Sequence, residues 1–527
     1  MARIAISLSG GGFRAATFHL GILSYLNHLT TADGTPLLQH VRAVSTISGG
    51  TLTGLWLIMG QSHGWSNEET LRRLYDLLMN NNIISRASRE FLCGKNKNNS
   101  LIREMVRIYD EDIFEGATLG DLMEHIDEIP IDDFSANATE FSNATAFRFQ
   151  IGKSQKTERG GTSQGVIGNA YYKIPRQIAS QIRLAEIFAA SSCFPGGFEA
   201  LFFPRDFALS QKDENKEYVE KAESIALMDG GVVDNQGIEP INLLRKRRDI
   251  DLFIISDAGC GDYEGYNFEE TNTLSWLTIR KVNIALNLIV LFVAQFLLWV
   301  PRGFWFGFFL SLTILFAIIR LISSIASRVF IKKKAQQIPF SFRWKGLLTI
   351  PFSKYINLIW SRATSMFTLT DKVFMRHIRS LNYATIYGDE RWQNRRIMNA
   401  LYELGTGQNW GKHLTEEEEV LMEPSEAVLQ NSDLATSMGT TLWWSDEDRR
   451  QGKPEALIAA GQYNICWNLL EFIYRLRRDS TNLSPEAHII TELQETLEAD
   501  WQRFKDNPTW MLENLRSHPS LKGEDLL

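Results

Sequence analysis

The chain is short of cysteine: Cys93, Cys193, Cys260 and Cys466 are the only four in 527 residues. They lie far apart with no C-x-x-C spacing, which excludes a zinc ribbon and a disulfide framework and suits a reducing compartment. Met1 to Leu8 has no basic leader and no cleavage site, so no secretory signal is expected. A formal net charge of −7 argues against nucleic acid as a partner. The most telling absence is local. Between Thr271 and Thr370 there is no Asp or Glu, while the same window holds twelve Lys and Arg.

That basic window is also the most apolar part of the chain. Val282 to Val300 is uncharged, Pro301-Arg302-Gly303 interrupts it, and Phe304 to Ile319 is uncharged again. At about 1.5 Å per residue the first run makes a helix of about 28 Å, close to a hydrocarbon core. The second is shorter and reaches Ala326 only if Arg320 snorkels. Proline and glycine suit a tight reversal. Trp299 and Trp305 flank it, as in an aromatic belt. Arg280 and Lys281 stand before the first run, Arg328 and Lys332 to Lys334 after the second. The expectation is a two-span transmembrane hairpin within 266–335, the lipid bilayer as partner, and both flanking regions, the catalytic one included, in the cytoplasm. A buried helical hairpin is the alternative. Residues 338–369 mix aromatics with bases, which suits either an interfacial segment or an ordinary packed helix.

The N-terminal half carries the chemistry. Arg3 to Ser9 is a short apolar run of strand character, followed by Gly10-Gly11-Gly12-Phe13-Arg14 and a helical pattern from Ala15 to Leu29. Gly10, Gly12 and Ala15 fit a dinucleotide fingerprint, but the only acid near the required distance is Asp33, in a loop-like stretch. A second strand over Val41 to Thr46 leads to Ser48, with Gly49 and Gly50 leaving room for a sharp turn into a helix over Thr51 to Met59. Both turns then lie at the C-terminal ends of early strands, where open α/β sheets bind ligands. A serine attacking an ester carbonyl makes an oxyanion, and backbone N–H groups of a side-chain-free loop stabilise it by about 3–4 kcal/mol per donor. The serine needs a base. Asp229 stands at the end of an apolar run, Ile225 to Met228, just before Gly230 and Gly231, and burial raises the pKa of such a carboxyl group into a useful range.

These residues together resemble the patatin-like phospholipases. Gly10-Gly11-Gly12-Phe13-Arg14-Ala15 is similar to their G-G-G-x-R-G loop, the turn at Ser48 to their G-x-S-x-G elbow, Asp229-Gly230-Gly231 to their D-G-G/A motif, and Ala189 to Pro195 to a stretch lining their site. The resemblance spans about residues 1–260. It implies an α/β fold with a patatin-like sheet flanked by helices and a Ser48–Asp229 dyad. It also implies an oxyanion hole at Gly10, Gly11 and Gly12, with Gly49, Gly50, Pro195, Gly230 and Gly231 shaping the site. No metal and no cofactor are implied, and the substrate is a membrane phospholipid cleaved at a fatty acyl ester. Arg14 is either a loop anchor or a ligand of lipid phosphate. Two positions depart from the pattern: Ala15 replaces the last loop glycine, and Thr46 replaces the first elbow glycine. Thr46, β-branched, favours an alternative in which a degenerate domain serves as a non-catalytic membrane scaffold or signalling protein.

Rival groups are weaker. Asp234 lacks the D-G-G context, and His377 and His413 follow Asp229 without a recognisable setting. Ser66-Asn-Glu-Glu69 is a capping box opening a helical stretch that suits a lid. Residues 336–527 have the pattern of a helical C-terminal region, with helices over Arg395–Leu404, Glu416–Met422, Glu455–Arg477 and Glu486–Phe504. The expected domains are therefore 1–265 catalytic, 266–335 membrane hairpin and 336–527 helical, the last either separate or completing the first.

Overall fold

The computed structural model describes residues 3–80, 100–153, 155–156, 162–163, 165, 167–244, 249–259, 268–297, 299, 303–318, 349–408, 410–411, 414–440, 443–478 and 488–516. The chain forms two compact units, one of Met1–Asp262 with Met375–Leu527, the other of Tyr263–Phe374.

The first unit is built on a mixed nine-stranded sheet flanked by helices. In chain order its elements are β1 (Ile4–Leu8), α1 (Gly12–His28), β2 (Val41–Ile47), α2 (Gly49–Ser62), α3 (Asn67–Asn80) and α4 (Leu101–Tyr109). Then come β3 (Asp133–Glu140), β4 (Thr145–Gly152), β5 (Ile167–Gly168), α5 (Leu184–Ser192), β6 (Leu201–Phe203), β7 (Ile225–Asp229) and β8 (Leu252–Asp257). The sheet runs β9-β8-β1-β2-β3-β4-β5, where β9 is Arg396–Ala400 from the C-terminal region; β7 pairs with β3, and β6 with β7.

Strand alternation assigns the two faces. Ile4, Ile6 and Leu8 enter the large core, while Ala5 enters a smaller one on the other face with Phe253, Ile255 and Trp392. Each fully buried Leu or Ile contributes about 1.5–3 kcal/mol.

The helical pattern over Arg395–Leu404 is overruled. Residues 396–400 form β9, parallel to β8 with Phe253 opposite Arg396. The exposed edge of β8 offers a ladder of hydrogen bonds, and tertiary pairing overrides local propensity. The remaining C-terminal helices do form: Glu416–Met422, the long helix Lys453–Arg478 and Gln494–Asp506. The long helix crosses α1 at two glycines. A Cβ on Gly21 would lie 2.1 Å from the Ile458 carbonyl oxygen, and one on Gly461 2.1 Å from that of Phe18. The C-terminal region is thereby part of the same core as β1 and α1.

The second unit holds α6 (Ile279–Leu297), a helix over 304–318, and α7 (Phe352–Thr368). Among the described residues no helix is long and apolar enough to cross a membrane, so the expected two-span hairpin is not borne out. One physical reason is the polar content of α6. α6 starts on Ile279-Arg280-Lys281 and carries Asn283, Asn287 and Gln295. Arg320, Arg328 and Lys332 to Lys334 lie outside the described residues. The apolar side chains are nonetheless uncovered: Phe292 is 73% exposed, Phe304 81% and Trp360 63%.

Candidate active site

β2 and α2 are joined by one residue, Ser48, with φ 49° and ψ −120°. A non-glycine residue at positive φ costs about 1–3 kcal/mol, and such strain gathers at functional sites. The turn is possible because the next two residues lack side chains. A Cβ on Gly49 would fall 1.9 Å from the Gly12 carbonyl oxygen, and one on Gly50 2.3 Å from that of Leu8. The elbow and the glycine loop are thus in backbone contact. The Ser48 N–H donates to Ser191 Oγ at 3.0 Å, and Ser191 Oγ donates to the Asn137 carbonyl at 2.6 Å. These two bonds lock the elbow to α5 and β3.

Asp229 reaches the same point from the opposite direction. β2 runs parallel to β3 and leaves it with Ile47 opposite Asn137. β7 runs antiparallel to β3 and ends with Asp229 opposite Ala138, the next residue. Two strand ends therefore meet on one edge of β3, with the Ser48 side chain near enough to the Asp229 carboxylate to favour its ionised form. Asp229 is buried, which pushes its pKa up to about 6. The Gly231 N–H, the Ser48 hydroxyl and the Arg379 guanidinium each pull it partly back. The Gly231 bond to Asp229 Oδ1 measures 2.7 Å. A carboxyl group with a pKa near 6 is mostly ionised at pH 7 and still basic enough to take a proton. Gly230 has no room for a side chain, since a Cβ there would sit 2.4 Å from the Asn137 carbonyl oxygen.

The glycine loop differs from expectation in one donor. The Gly10 N–H is already bound to the Asn235 carbonyl at 3.0 Å, which leaves it no free donor for an oxyanion. Among the described residues the Gly11 and Gly12 amides have no acceptor. Gly11 and Gly12 take φ of 146° and 64°, which a side chain would strain. α1 begins at Gly12, not at Ala15, so Gly12 and Gly49 are the first residues of α1 and α2. The first N–H groups of a helix lack intrahelical partners and carry the positive end of its dipole. Two such ends flank Ser48. Between them is a cavity of about 30 Å³ lined by Phe13, Ser48, Leu52, Tyr109, Phe188 and Ser192 among others. That is about the share of one water molecule in the liquid.

Pro195 stands half-buried two residues beyond Cys193, whose carbonyl accepts the Asp229 N–H at 3.1 Å. Arg14 is buried in α1 and donates through Nη1 to the Met438 carbonyl at 2.9 Å, the geometry of an anchor. Asp234 is buried too, with its pKa raised to about 6 by burial, but its two oxygens accept the Gly237 and Glu239 amides. His377 is exposed on α8 (Met375–Tyr387), and His413 lies outside the described residues. His19 is fully buried; its Nε2 meets the Ser9 carbonyl at 3.0 Å and its Nδ1 the Ser256 hydroxyl at 2.8 Å. Asp33 is hydrogen-bonded within its own turn to Thr31 and Thr35, away from the glycine loop. Among the described residues no three His, Cys, Asp or Glu side chains are grouped to hold a metal ion.

Sequence reasoning missed Ser191, Asn137, Asn235 and Arg379. Ser191 lies inside the Ala189–Pro195 stretch and was within reach of a motif reading. Asn137 and Arg379 were not, because only the sheet register and the return of the chain after the second unit bring them here.

No curated protein matches the chain. Among solved structures, human GIVD cytosolic phospholipase A2 is similar at 13% identity with a TM-score of 0.31, covering 49% of this chain. The match spans less than half of that enzyme's own length, 45%. The family model described as patatin-like phospholipase matches residues 6–241, from β1 through the glycine loop, the Ser48 turn and the Asp229 turn. Over those residues, less than half of its length, the chain resembles a patatin-like phospholipase domain.

Proposed function

We propose that this protein is a serine acyl hydrolase that cleaves fatty acyl esters of phospholipids at a lipid surface. Ser48 Oγ attacks the ester carbonyl and its proton passes to Asp229. The amides of Gly11, Gly12 and Gly49 hold the oxyanion. Collapse of the tetrahedral intermediate expels the lyso-lipid alkoxide, which takes the proton from Asp229. Water then attacks the acyl-Ser48 ester, gives its proton to Asp229, and the fatty acid leaves as Ser48 is reprotonated.

The observation that carries this reading is the meeting of the β2 and β7 ends at Asn137 and Ala138 of β3. The family match supports the substrate class. The second unit supports the lipid surface: exposed Phe292, Trp299, Phe304, Trp305 and Trp360 accompany a window without a single carboxylate. Large exposed apolar patches mark interaction sites, and Lys and Arg near an anionic leaflet contribute about 1 kcal/mol each. Holding the site at the bilayer raises its effective concentration toward substrate. Thr46, the feature that favours a non-catalytic scaffold, is accommodated by the following helix: a Cβ on Gly54 would lie 2.3 Å from Thr46 Cγ2, so glycine leaves the space.

The test is fatty-acid release from labelled phospholipid vesicles by wild type and Ser48→Ala, with a fluorophosphonate probe and peptide mapping. Release by wild type alone, with the probe on Ser48, is expected. Equal release by both, or none with an unlabelled Ser48, overturns the reading.

A further inference from the structure

The Asp229 turn is held from the far side of the chain. α8 follows the second unit directly and faces the turn Gly230–Val232. Arg379 Nε donates to the Gly231 carbonyl at 2.7 Å, and Asn382 Nδ2 to the Val233 carbonyl at 2.9 Å. Asp229 Oδ1 and Arg379 Nη2 lie 2.9 and 3.5 Å from the point a Cβ on Gly231 would occupy. Those distances end to end put the two atoms at most 6.4 Å apart, close to the range in which an opposite charge favours the ionised carboxylate. Gly231 is thus the gap through which the cation faces the anion.

We propose that Arg379 is the positioning residue of Asp229: its guanidinium fixes the turn through the Gly231 carbonyl and presents its charge to the carboxylate that receives the Ser48 proton. This rests on the reading of Asp229 as the base. The groups set against Asp229 are Ser48 at the start of α2, the Cys193 thiol after α5, and Arg379 on α8. Cys193 is buried with its pKa pushed up, so it stays neutral. Asp234 is turned to its own amides, and Tyr383, next to Arg379 on α8, has its pKa pushed up by burial. Arg379 is the charged partner in this set. It is only partly buried, so solvent screens part of its effect.

The experiment measures the rate of fluorophosphonate labelling of Ser48 against pH in the full chain. Wild type is expected to show an acid limb near pH 6. In Arg379→Met the limb moves up by about 0.5–1 unit, so labelling at pH 5.5 falls about three- to eightfold more than at pH 8. Arg379→Lys keeps the charge and returns the limb toward wild type while the plateau stays lower, because the planar guanidinium is lost. Asn382→Ala loosens the same turn without touching a charge, and lowers the plateau with the limb in place. An Arg379→Met limb at the wild-type position overturns the proposal, as does an equal limb shift in Asn382→Ala. Absence of wild-type labelling at every pH instead defeats the assignment of Ser48 and Asp229, a distinct result.

Discussion

Thr46 and Gly54 share one methyl-sized space: a Cβ on Gly54 would stand 2.3 Å from Thr46 Cγ2 and 3.3 Å from Phe134 Cε2. The elbow's missing glycine is thus displaced by eight residues onto α2. The Thr46 hydroxyl is also used, donating to the Ser135 carbonyl at 3.3 Å and accepting from Thr51 Oγ1 at 3.1 Å. Gly54→Ala is expected to destabilise the protein by about 1–3 kcal/mol through overpacking. Thr46→Ser removes the clashing methyl and keeps the hydroxyl, so Thr46→Ser/Gly54→Ala recovers most of that loss. Urea unfolding of the four proteins closes the cycle; an additive double variant contradicts the pairing.

In the proposed mechanism, Ser48 stores strain that serves the reaction and not the fold. Its φ of 49° is one that glycine adopts freely. Ser48→Gly is expected to raise stability by up to about 2 kcal/mol, the relieved strain less the extra backbone entropy of glycine. Ser48→Ala keeps the strained backbone and gains nothing. Both lose hydrolysis by at least about 10³-fold. Paired urea curves and vesicle assays check this, and a Ser48→Gly protein less stable than Ser48→Ala contradicts it.

His19 makes the fold sensitive to acid. Burial lowers its pKa from 6.5 to about 4, with the Ser9 carbonyl bond acting the other way. The Ser9 oxygen only accepts, so Nε2 carries the proton and Nδ1 accepts from the Ser256 hydroxyl. In the unfolded chain the ring takes a proton below about pH 6.5, while the folded form resists until about pH 4. The stabilising contribution is therefore complete above pH 6.5 and is lost as pH falls toward 4, by about 3 kcal/mol. His19→Gln keeps a donor for Ser9 and cannot titrate. The stability difference between wild type and this variant should change over that window and be flat above it, as read by urea unfolding at stepped pH.

What the residues disclosed in advance was local. Gly10 to Gly12, Ser48 with Gly49 and Gly50, and Asp229 with Gly230 and Gly231 each combine a strand end with side-chain-free neighbours, a pattern visible within six residues. The N-terminal strands and the long C-terminal helix were legible for the same reason, through periodicity. What stayed hidden depends on partners far along the chain. β9 has a helical pattern and becomes a strand because β8 has an open edge. Gly10 offers its amide in principle, but Asn235 takes it. Arg379 has no motif, and only α8 carries it to Gly231. In the second unit, composition led to a two-span hairpin, whereas among the described residues no helix is long and apolar enough to cross a membrane.

Arg14 separates anchoring from lipid recognition. A cation beside the glycine loop suits a phospholipid phosphate, yet the side chain is buried and its Nη1 is committed to the Met438 carbonyl. That bond ties the first turn of α1 to the segment before Trp443, whose ring packs on Phe13 with centroids 3.9 Å apart. Phe13 in turn lines the cavity beside Ser48. Arg14→Met keeps much of the volume and removes the charged hydrogen bond, so a loss of about 1.5–3 kcal/mol is expected. Because the side chain is aimed at backbone and not at the cavity, KM should change by less than about twofold for a phospholipid and for an acyl ester without phosphate alike. A KM rise confined to the phospholipid, with unfolding unchanged, would instead make Arg14 a headgroup ligand.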